Sequence, residues 1–441
     1  MAYGVWRMGD GTGRASAALL ALAIVASPLG AQAPPYPTKF SAALASDPAV
    51  SAALAWIDDH FDAQVEEWIH ITEIPAPSRL ETERAAYVAA RFEELGLQVS
   101  IDSIGNVVAR RAGTGGGPTV VFAAHLDTVH PLSADVTVTR RDGQLHAPGV
   151  FDNSASLANV LAAARAMAAA DVATRGDVIF VGTAQEELGV VGMAYWLDAN
   201  PGLADMLIAL DGGLGPVPYG ALGIYWSRLV FAGAGSHTNT SRGKPHPARA
   251  ASRCILDVYD IPLPPPGAPV GAVYNVGMLR GGEVVNAIPE EVTVTVDLRT
   301  VDPRLLTQLD SAIVTACAAA ARGEGVEFRR DWIQRMDAGG RPEDLADRRA
   351  HPLVQTAVDV LTHLGYDFGS RPEAIPTGST DANAAVVRGI PAISVGRSLG
   401  GNQHTLREWA DVASARIGTK QIVLLAAALA ERSGSPVPRL P

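Results

Sequence analysis

Residues 119–129 read Thr-Val-Val-Phe-Ala-Ala-His-Leu-Asp-Thr-Val, a strand-like stretch that ends in a histidine and, two positions later, an aspartate. Short apolar runs without a polar face are typical of strands buried inside a parallel sheet. Positions i and i+2 at the end of a strand point the same way, so we expect His125 and Asp127 to lie close together. Taken alone, the pattern fits a surface histidine beside a capping aspartate better than a metal site.

Strand-like and helical segments alternate on both sides of this stretch, which favours an α/β layer with a largely parallel central sheet. Helical apolar spacing extends over residues 51–97. Further helices are predicted at Ser156–Ala170, Pro352–Leu364 and Ile422–Arg432. The predicted strands are Val107–Arg110, Thr119–Ala124, Val136–Thr139, Val178–Thr183, Met206–Leu210 and Ala392–Val395.

A second unit interrupts this alternation after Gly220, because its elements follow the order β-α-β-β-α-β of a ferredoxin-like domain. We expect it to be inserted as a lid at residues 221–335, between two parts of the main domain at 34–220 and 336–441. Its predicted elements are the strand Arg228–Ala232, the helix Pro247–Tyr259, the strands Ala272–Leu279 and Val292–Leu298, the helix Pro303–Ala321 and the strand Val326–Trp332.

The N-terminal residues have the pattern of a secretory signal peptide. Arg7 and Arg14 precede the apolar run 15–26, and Ala31-Gln32-Ala33 supplies a small-x-small cleavage site. The run is too short for a stable membrane-spanning helix. We therefore predict a signal peptide over residues 1–33, a periplasmic or secreted mature protein, and no membrane anchor after cleavage.

The composition of the 441 residues excludes several classes of protein. With 48% hydrophobic and 18% charged residues, the chain is not predominantly disordered. A formal net charge of -11 argues against a nucleic-acid partner. The two cysteines, Cys254 and Cys317, cannot form a disulfide framework or a thiolate cluster, so any metal must take oxygen and imidazole ligands.

Four other polar segments lie at predicted strand ends or loops, and each has an ordinary explanation. Asp152 could cap the following helix, the pair Glu186-Glu187 could form a solvated turn, Asp211 could belong to an Asp-Gly turn, and His404 could be a loop histidine. Taken together with His125 and Asp127, however, they supply the mixed nitrogen and oxygen ligands that suit two divalent ions of the zinc type.

These residues and their order resemble the co-catalytic dizinc exopeptidases, which include peptidase T, carnosinase-like dipeptidases, glutamate carboxypeptidase and aminoacylase. The resemblance covers the chain from about His125 to its end. It implies an α/β/α catalytic domain with an inserted ferredoxin-like lid that forms a homodimer. It also implies two bound divalent metal ions, with zinc expected and cobalt or manganese as alternatives.

Site roles follow from the same resemblance. It implies that Asp152 bridges the two metals, that Glu186 is the general base, and that Asp127 supports His125. The remaining implied metal ligands are His125, Glu187, Asp211 and His404. In the lid, His237 is implied to reach the neighbouring subunit's site and polarise the scissile carbonyl, and Asn286 and Arg299 are implied to hold the carboxylate end of the substrate. Outside the lid, Gly378 is implied to make a backbone contact in the substrate cleft. His237 could instead cap a loop, Asn286 could shape a turn, and Arg299 could be a solvated charge.

The implied activity is metal-dependent hydrolysis of amide bonds in small peptides, by an exported aminopeptidase, dipeptidase or tripeptidase. Asp211 favours substrates with a free amino end, because the carboxypeptidase and aminoacylase branches more often carry glutamate there. An N-acyl amino acid amidohydrolase or a carboxypeptidase on the same scaffold is the alternative. A catalytically silent peptide-binding protein is a third possibility, disfavoured because the base and all five ligands are present together.

Overall fold

The computed structural model describes residues 36–268 and 270–434. The predicted signal peptide at residues 1–33 lies outside the described residues. Within the described ranges, no helix combines the length and the apolar character needed to cross a bilayer.

A six-stranded sheet forms the centre of the catalytic part. Four neighbouring strands of this sheet run parallel to one another. The remaining two strands lie at one edge, where the pairing is antiparallel. In spatial order the strands are Gln98–Ile101, Val107–Arg111, Val178–Thr183, Val120–His125, Met206–Leu210 and Ala392–Val395. Val120–His125 and Val178–Thr183 are buried at every residue, which is why they lack the alternation of a half-exposed strand.

Helices cover both faces of this sheet. Ala155–Ala169 has an alanine-rich surface that lets the helices Pro48–Asp59, Phe61–Thr72 and Ala415–Leu429 pack closely against it. Asp47 caps the first of these by accepting hydrogen bonds from the backbone N–H groups of residues 49 and 50. The other helices of this part are Ala42–Ala45, Thr82–Glu93, Val191–Ala199, Pro342–Ala350, Pro352–His363 and Ala382–Val387.

The second sheet spans residues 223–336 and has the ferredoxin-like order. All four strands are antiparallel to their neighbours, and in spatial order they are Ala272–Gly281, Glu291–Thr300, Gly223–Ala232 and Glu327–Met336. The helices Pro247–Tyr259 and Pro303–Glu324 pack together against this sheet. The fold class predicted from the sequence, an α/β domain with an inserted βαββαβ lid, is confirmed.

A disulfide joins Cys254 and Cys317, one from each lid helix. The sequence does not predict this bond, because two cysteines separated by 63 positions give no indication of pairing until the helices are placed side by side.

Shorter strands complete the described structure. One small sheet contains Gly400–Gly401, Trp409–Asp411, Gln144–His146 and Thr139–Arg141, and two strand pairs are Val217–Pro218 with Ala374–Ile375 and Ser236–His237 with Ala287–Ile288. Single helical turns lie at Val150–Ser154, Glu186–Leu188 and Thr238–Thr240.

Several predicted bounds differ from the structure, and two elements of the catalytic part differ most. The strand expected at Val136–Thr139 is instead a hairpin strand at Thr139–Arg141. The last helix begins at Ala415 rather than Ile422 and ends at Leu429. Its first two turns contain Thr419 and Gln421, polar residues that are buried and hydrogen-bonded to Asn159 and Gly396 respectively.

Candidate metal centre

The centre lies where parallel strands of the central sheet end. His125 is the last residue of its strand, Asp211 follows Met206–Leu210 directly, and Glu186 and Glu187 come shortly after Val178–Thr183. Because parallel strands present their carboxyl ends at one edge, residues distant in sequence meet there. Asp152, in the turn before the helix Ala155–Ala169, and His404, in the loop after Gly400–Gly401, reach the same place.

Asp152 occupies the middle of the cluster. Its Oδ1 lies 3.0 Å from Nε2 of His125, and its Oδ2 lies 3.5 Å from Nε2 of His404. His404 Nε2 is also 3.2 Å from Oε1 of Glu187, and His125 Nε2 is 3.9 Å from Oδ2 of Asp211. The structure therefore brings the five predicted ligands together.

His125, Glu186 and Glu187 form one candidate metal-binding group, and the ligand atoms of the five predicted ligands form two overlapping triplets that share Asp152. One is His125, Asp152 and Asp211, and the other is Asp152, Glu187 and His404; within each, the ligand atoms lie within 4.8 Å of one another. Two imidazoles and three carboxylates in this arrangement are the nitrogen and oxygen ligands that divalent ions of the zinc type accept.

Electrostatics also indicate that the cluster fits cations. Burial is the largest influence on Glu187 and Asp211 and raises the pKa of each carboxyl, with the charge of Asp152 adding to both effects. Burial likewise raises the pKa of Glu186 well above its usual value; the charge of His125 opposes this, and nearby carboxylates reinforce it. Bound divalent cations would offset this concentration of negative charge.

Asp127 connects two parts of the centre. It is fully buried, its backbone carbonyl oxygen lies 3.0 Å from Nδ1 of His125, and its carboxylate accepts hydrogen bonds from the backbone N–H groups of Glu186 and Glu187. Ser78 also donates its hydroxyl hydrogen to this carboxylate. Asp127 thus holds the Glu186-Glu187 turn as well as the imidazole, whereas the sequence analysis gave it only the second task.

The turn that carries Glu186 and Glu187 has an unusual backbone. Gln185 has φ +57°, and its N–H donates to Oε1 of Glu81 at 3.0 Å. Such a conformation is rare for a residue with a side chain and persists where neighbouring contacts hold it in place. Here the two buried carboxylates, Glu81 and Asp127, fix three successive N–H groups, and so fix the directions in which both glutamates leave the backbone.

Glu408 has no role among the expectations drawn from the sequence. It is buried, and its carboxylate accepts hydrogen bonds from the backbone N–H groups of Gly149, Phe151 and Asp152 at 2.7–2.9 Å. The loop carrying His404 is thereby fastened to the turn carrying Asp152. No pattern in the sequence distinguishes this glutamate from a surface one.

Arg397 is the other residue that the sequence analysis missed. It is fully buried, its Nη1 donates to Oδ1 of Asp211 at 2.6 Å, and its Nη2 lies 3.1 Å from Oδ1 of Asp152. It follows the strand Ala392–Val395 by two positions. Searching every predicted strand end for charged residues, rather than for histidines and acids alone, would have found it.

A cleft of about 520 Å³ opens over the cluster. Arg299, Trp226 and Gln334 from the lid sheet form part of its wall, and Ser379 and Gln403 from the catalytic part form another. Arg299 therefore lines the cleft, whereas Gly378 is next to a lining residue but does not itself line it.

His237 and Asn286 lie outside the cleft lining of their own chain. His237 is exposed, and its Nε2 lies 3.4 Å from Nδ2 of Asn286. The structure thus brings these two lid residues together, but not with the metal ligands of the same subunit.

The sequence profile of Peptidase family M20/M25/M40 matches residues 121–428. The chain belongs to this family. It is therefore a metal-dependent hydrolase, as the sequence resemblance implied, and the M20 assignment covers both the catalytic part and the lid.

Relatives of this M20 protein include a succinyl-diaminopimelate desuccinylase of Leptothrix cholodnii, 25% identical over 75% of this chain and 89% of the relative. Among solved structures, the aminopeptidase PepT of Bacillus cereus superposes with a TM-score of 0.67 at 21% identity, covering 84% of this chain and 99% of that one. The YXEP protein of Bacillus subtilis, described as a dinuclear metal-binding peptidase of the M20 family, gives a TM-score of 0.62 at 17% identity over 85% and 100%.

Proposed function

We propose that this protein hydrolyses an amide bond in small peptides or N-acyl amino acids, using two divalent metal ions, and that it recognises the free carboxylate of its substrate. The observation that carries the proposal is the cluster of five ligand residues with the buried Glu186 beside it in one cleft. A peptide-binding protein without catalysis would have no need of a buried carboxylic acid next to that cluster.

The ligands proposed for one metal are His125, Asp152 and Asp211, and those for the other are Asp152, Glu187 and His404. Zinc is the proposed metal, with cobalt or manganese as alternatives. When bound, the two cations would supply Lewis-acid activation of a water molecule and of the substrate carbonyl.

Glu186 is the proposed general base. It accepts a proton from the attacking water and passes it to the leaving nitrogen, so it must change protonation state twice in each turnover. Its backbone is held by Asp127, which keeps the carboxylate in position during both transfers.

The charges of the cleft favour a substrate with a free carboxylate. Among the described residues that line the cleft, Arg299 is the one charged side chain that is neither a proposed ligand nor the proposed base. Its Nε donates to Asp297, which leaves its two terminal nitrogens without a hydrogen-bond partner among the described residues. The lining residues offer no further carboxylate to bind a substrate ammonium group.

This proposal differs from the sequence-based preference for a free amino end. That preference relied on the family branches that carry aspartate at the ligand position of Asp211, whereas the cleft lining offers an arginine for a substrate carboxylate. The desuccinylase relative, whose name describes removal of a succinyl group, also supports an acylated amine as a substrate.

Matched substrates test the proposal. A set of dipeptides is prepared in three forms, namely unmodified, N-acetylated and C-terminally amidated, and assayed with zinc-loaded protein. We expect the first two forms to be hydrolysed and the amides to react about 10–100-fold more slowly, because they lose a charge-assisted contact to Arg299. A chelator should abolish all turnover.

Two outcomes would contradict the proposal in different ways. Hydrolysis of the amides but not of the N-acetyl forms would show that the amine is recognised, as in an aminopeptidase. No metal-dependent hydrolysis of any form would reject the proposed activity. Arg299→Lys is the matched variant, since it keeps the charge and should keep part of the preference over Arg299→Gln.

Export of the mature protein remains a proposal, and the lid disulfide supports it. Disulfides persist in oxidising compartments such as the periplasm and are rare where thiols are kept reduced. Cys254 and Cys317 are buried and bonded to each other. We therefore propose that the protein acts in the periplasm or outside the cell.

A homodimer through the lid is also proposed. The strand Ala272–Gly281 is an edge of the lid sheet, and Val273, Met278 and Leu279 on it are exposed. Leu256 and Tyr259 of the adjoining helix are exposed as well. An uncovered apolar edge of this kind is a surface that pairs with another chain, which a two-fold dimer would accomplish.

A further inference from the structure

Arg397 introduces a fixed positive charge into one half of the metal centre. Its guanidinium donates from Nη1 to Oδ1 of Asp211 and forms an ion pair, outside hydrogen-bond geometry, between Nη2 and Oδ1 of Asp152. The same Asp152 oxygen lies 3.0 Å from Nε2 of His125. The arginine is thus in contact with two of the three ligands of the His125 triplet.

The other triplet has no comparable contact. In the part of the chain that the structure describes, Glu187 and His404 form no ion pair with an arginine or lysine. The Asp152 oxygen that faces His404 is the one that Arg397 does not contact. Within the described residues, the His125 half therefore has one positively charged side chain against its ligands, and the His404 half has none.

The position of Arg397 is set by contacts around its entire length. Its backbone carbonyl accepts a hydrogen bond from Nδ2 of Asn159, its backbone N–H donates to Gly212, and its guanidinium lies 4.1 Å from the ring centroid of Phe151. Nη1 also contacts Oδ1 of Asn153 at 3.1 Å. A side chain enclosed in this way cannot swing aside when a cation arrives.

A permanently charged guanidinium next to a cation site has two effects. It offsets part of the negative charge of Asp152 and Asp211 while no metal is bound, and it repels a divalent ion that binds between the same carboxylates. The repulsion is larger at the His125 half than at the His404 half. Arg397 contacts both carboxylates of the His125 half, Asp152 and Asp211, but not the Glu187 carboxylate of the His404 half.

We propose that Arg397 makes the two metal positions unequal by weakening cation binding at the His125–Asp152–Asp211 half, while holding these carboxylates in place in the metal-free protein. The inference rests on the proposed use of two metals. It concerns the affinity of each half for its cation, and not the hydrolytic step.

Calorimetric titration of Zn²⁺ into chelator-treated protein tests this inference, with each half isolated by a substitution. In the His404→Ala background, which leaves the His125 half, Arg397→Gln should tighten zinc binding by about tenfold or more because the repulsive charge is gone. In the Asp211→Asn background, which leaves the His404 half, Arg397→Gln should change the affinity by about threefold at most. The ligand carboxylate oxygen that the arginine approaches there is Oδ1 of Asp152, whereas His404 lies next to Oδ2.

Control variants separate charge from structure. Arg397→Lys keeps the positive charge, so zinc affinity at the His125 half should stay low. Arg165→Gln removes a partly buried ion pair with Glu67 away from the centre and should leave both zinc affinities unchanged. The melting temperature of metal-free Arg397→Gln should fall below that of the parent protein and recover on addition of Zn²⁺.

Distinct results would overturn the inference or the function beneath it. Equal changes in both backgrounds, or weaker zinc binding at the His125 half of Arg397→Gln, would show that the arginine does not make the halves unequal. If Arg397→Gln fails to fold, Arg397→Lys is compared with the parent residue, both in the His404→Ala background. A lower zinc affinity of the lysine variant would count against a purely electrostatic role. A parent protein that binds no zinc would instead reject the proposed metal-dependent function.

Discussion

The carboxylates of the metal centre differ in what surrounds each one, and those surroundings separate their roles. Asp127 is fully enclosed and accepts N–H and hydroxyl donors; burial alone would raise its pKa, yet these bonds and His125 lower it below its usual value. Glu186 has no such donors on its carboxylate among the described residues, and its pKa is raised by burial. One carboxylate is therefore held ionised as a support, and the other is poised to exchange a proton.

Glu186→Gln tests that separation. The amide has nearly the same shape but cannot accept a proton, so we expect kcat to fall by about 100-fold or more. Zinc affinity should stay within about threefold of the parent, because the proposed ligands are unchanged. Both are measured on the same preparation, by steady-state hydrolysis and by calorimetry. Near-normal turnover would remove Glu186 from the role of base.

Glu408→Gln tests the link between the two loops of the centre. A neutral amide can accept fewer of the three N–H bonds and brings its own donors against them, so the free energy of unfolding should drop by about 2–4 kcal/mol. Because the turn of Asp152 loosens, zinc affinity should also fall, by about tenfold or more.

Chemical denaturation and zinc titration measure these two effects. The matched control is Glu343→Gln, which removes an exposed carboxylate paired with Arg304 and should alter neither quantity. Unchanged zinc affinity in Glu408→Gln would mean that the turn keeps its shape without this carboxylate.

At the scale of single residues, sequence could predict the ligands but not their supports. His125, Asp152 and Asp211 stand out because each carries a metal-binding group, His125 and Asp211 at the end of a predicted strand and Asp152 just before a predicted helix. Arg397 and Glu408 act through contacts to residues far away in the chain, and their types are those of ordinary surface residues. Such roles follow from the three-dimensional contacts alone.

At the scale of elements, prediction succeeded where a segment is buried on both sides. Val178–Thr183, Met206–Leu210 and Ala392–Val395 have the bounds that their apolar runs indicated. The start of the helix Ala415–Leu429 was missed because its polar first turns bury against Asn159 and Gly396, which sequence periodicity treats as exposed.

The disulfide between the two lid helices gives a prediction at the same scale. Closing a loop with a sequence separation of 63 residues restricts the unfolded chain, and the chain-entropy relation gives about 4 kcal/mol of stabilisation. We expect the double variant Cys254→Ala with Cys317→Ala to unfold at lower denaturant concentration than the oxidised parent.

Denaturation of the parent with and without a reductant provides the control. The double variant should be indifferent to the reductant, whereas the parent should lose stability on reduction. Equal stability of the oxidised parent and the double variant would mean that the bond contributes nothing to the lid. The position of the bond, away from the cleft lining, leads us to expect normal zinc affinity in the variant.

At the scale of the whole molecule, the lid has two different surfaces. One wall of the cleft comes from Arg299, Trp226 and Gln334, while His237 and Asn286 lie outside the cleft of their own chain. In the proposed two-fold dimer, the second surface would face the neighbouring site. Sequence resemblance implied this arrangement, and the exposed position of His237 is compatible with it.

Complementation between two inactive variants tests whether His237 serves the neighbouring subunit. Glu186→Gln lacks the base, and His237→Ala lacks the proposed carbonyl contact. In a mixed dimer, the site with an intact Glu186 would receive an intact His237 from its partner, whereas the other site would lack both. Random equimolar mixing makes half of the dimers mixed with one complete site each, so about a quarter of the parent activity should return.

Co-expression with two affinity tags isolates the mixed dimers directly, and these should then show about half of the parent's kcat per dimer. If His237 instead acted within its own chain, each site of the mixed dimer would contain one defect, and activity would stay at the level of the single variants. A protein that remains monomeric at micromolar concentration with full activity would exclude the cross-subunit role altogether. The exposed strand Ala272–Gly281 provides the independent check, because Leu279→Lys, which places a charge on the proposed pairing edge, should reduce dimer formation and activity together.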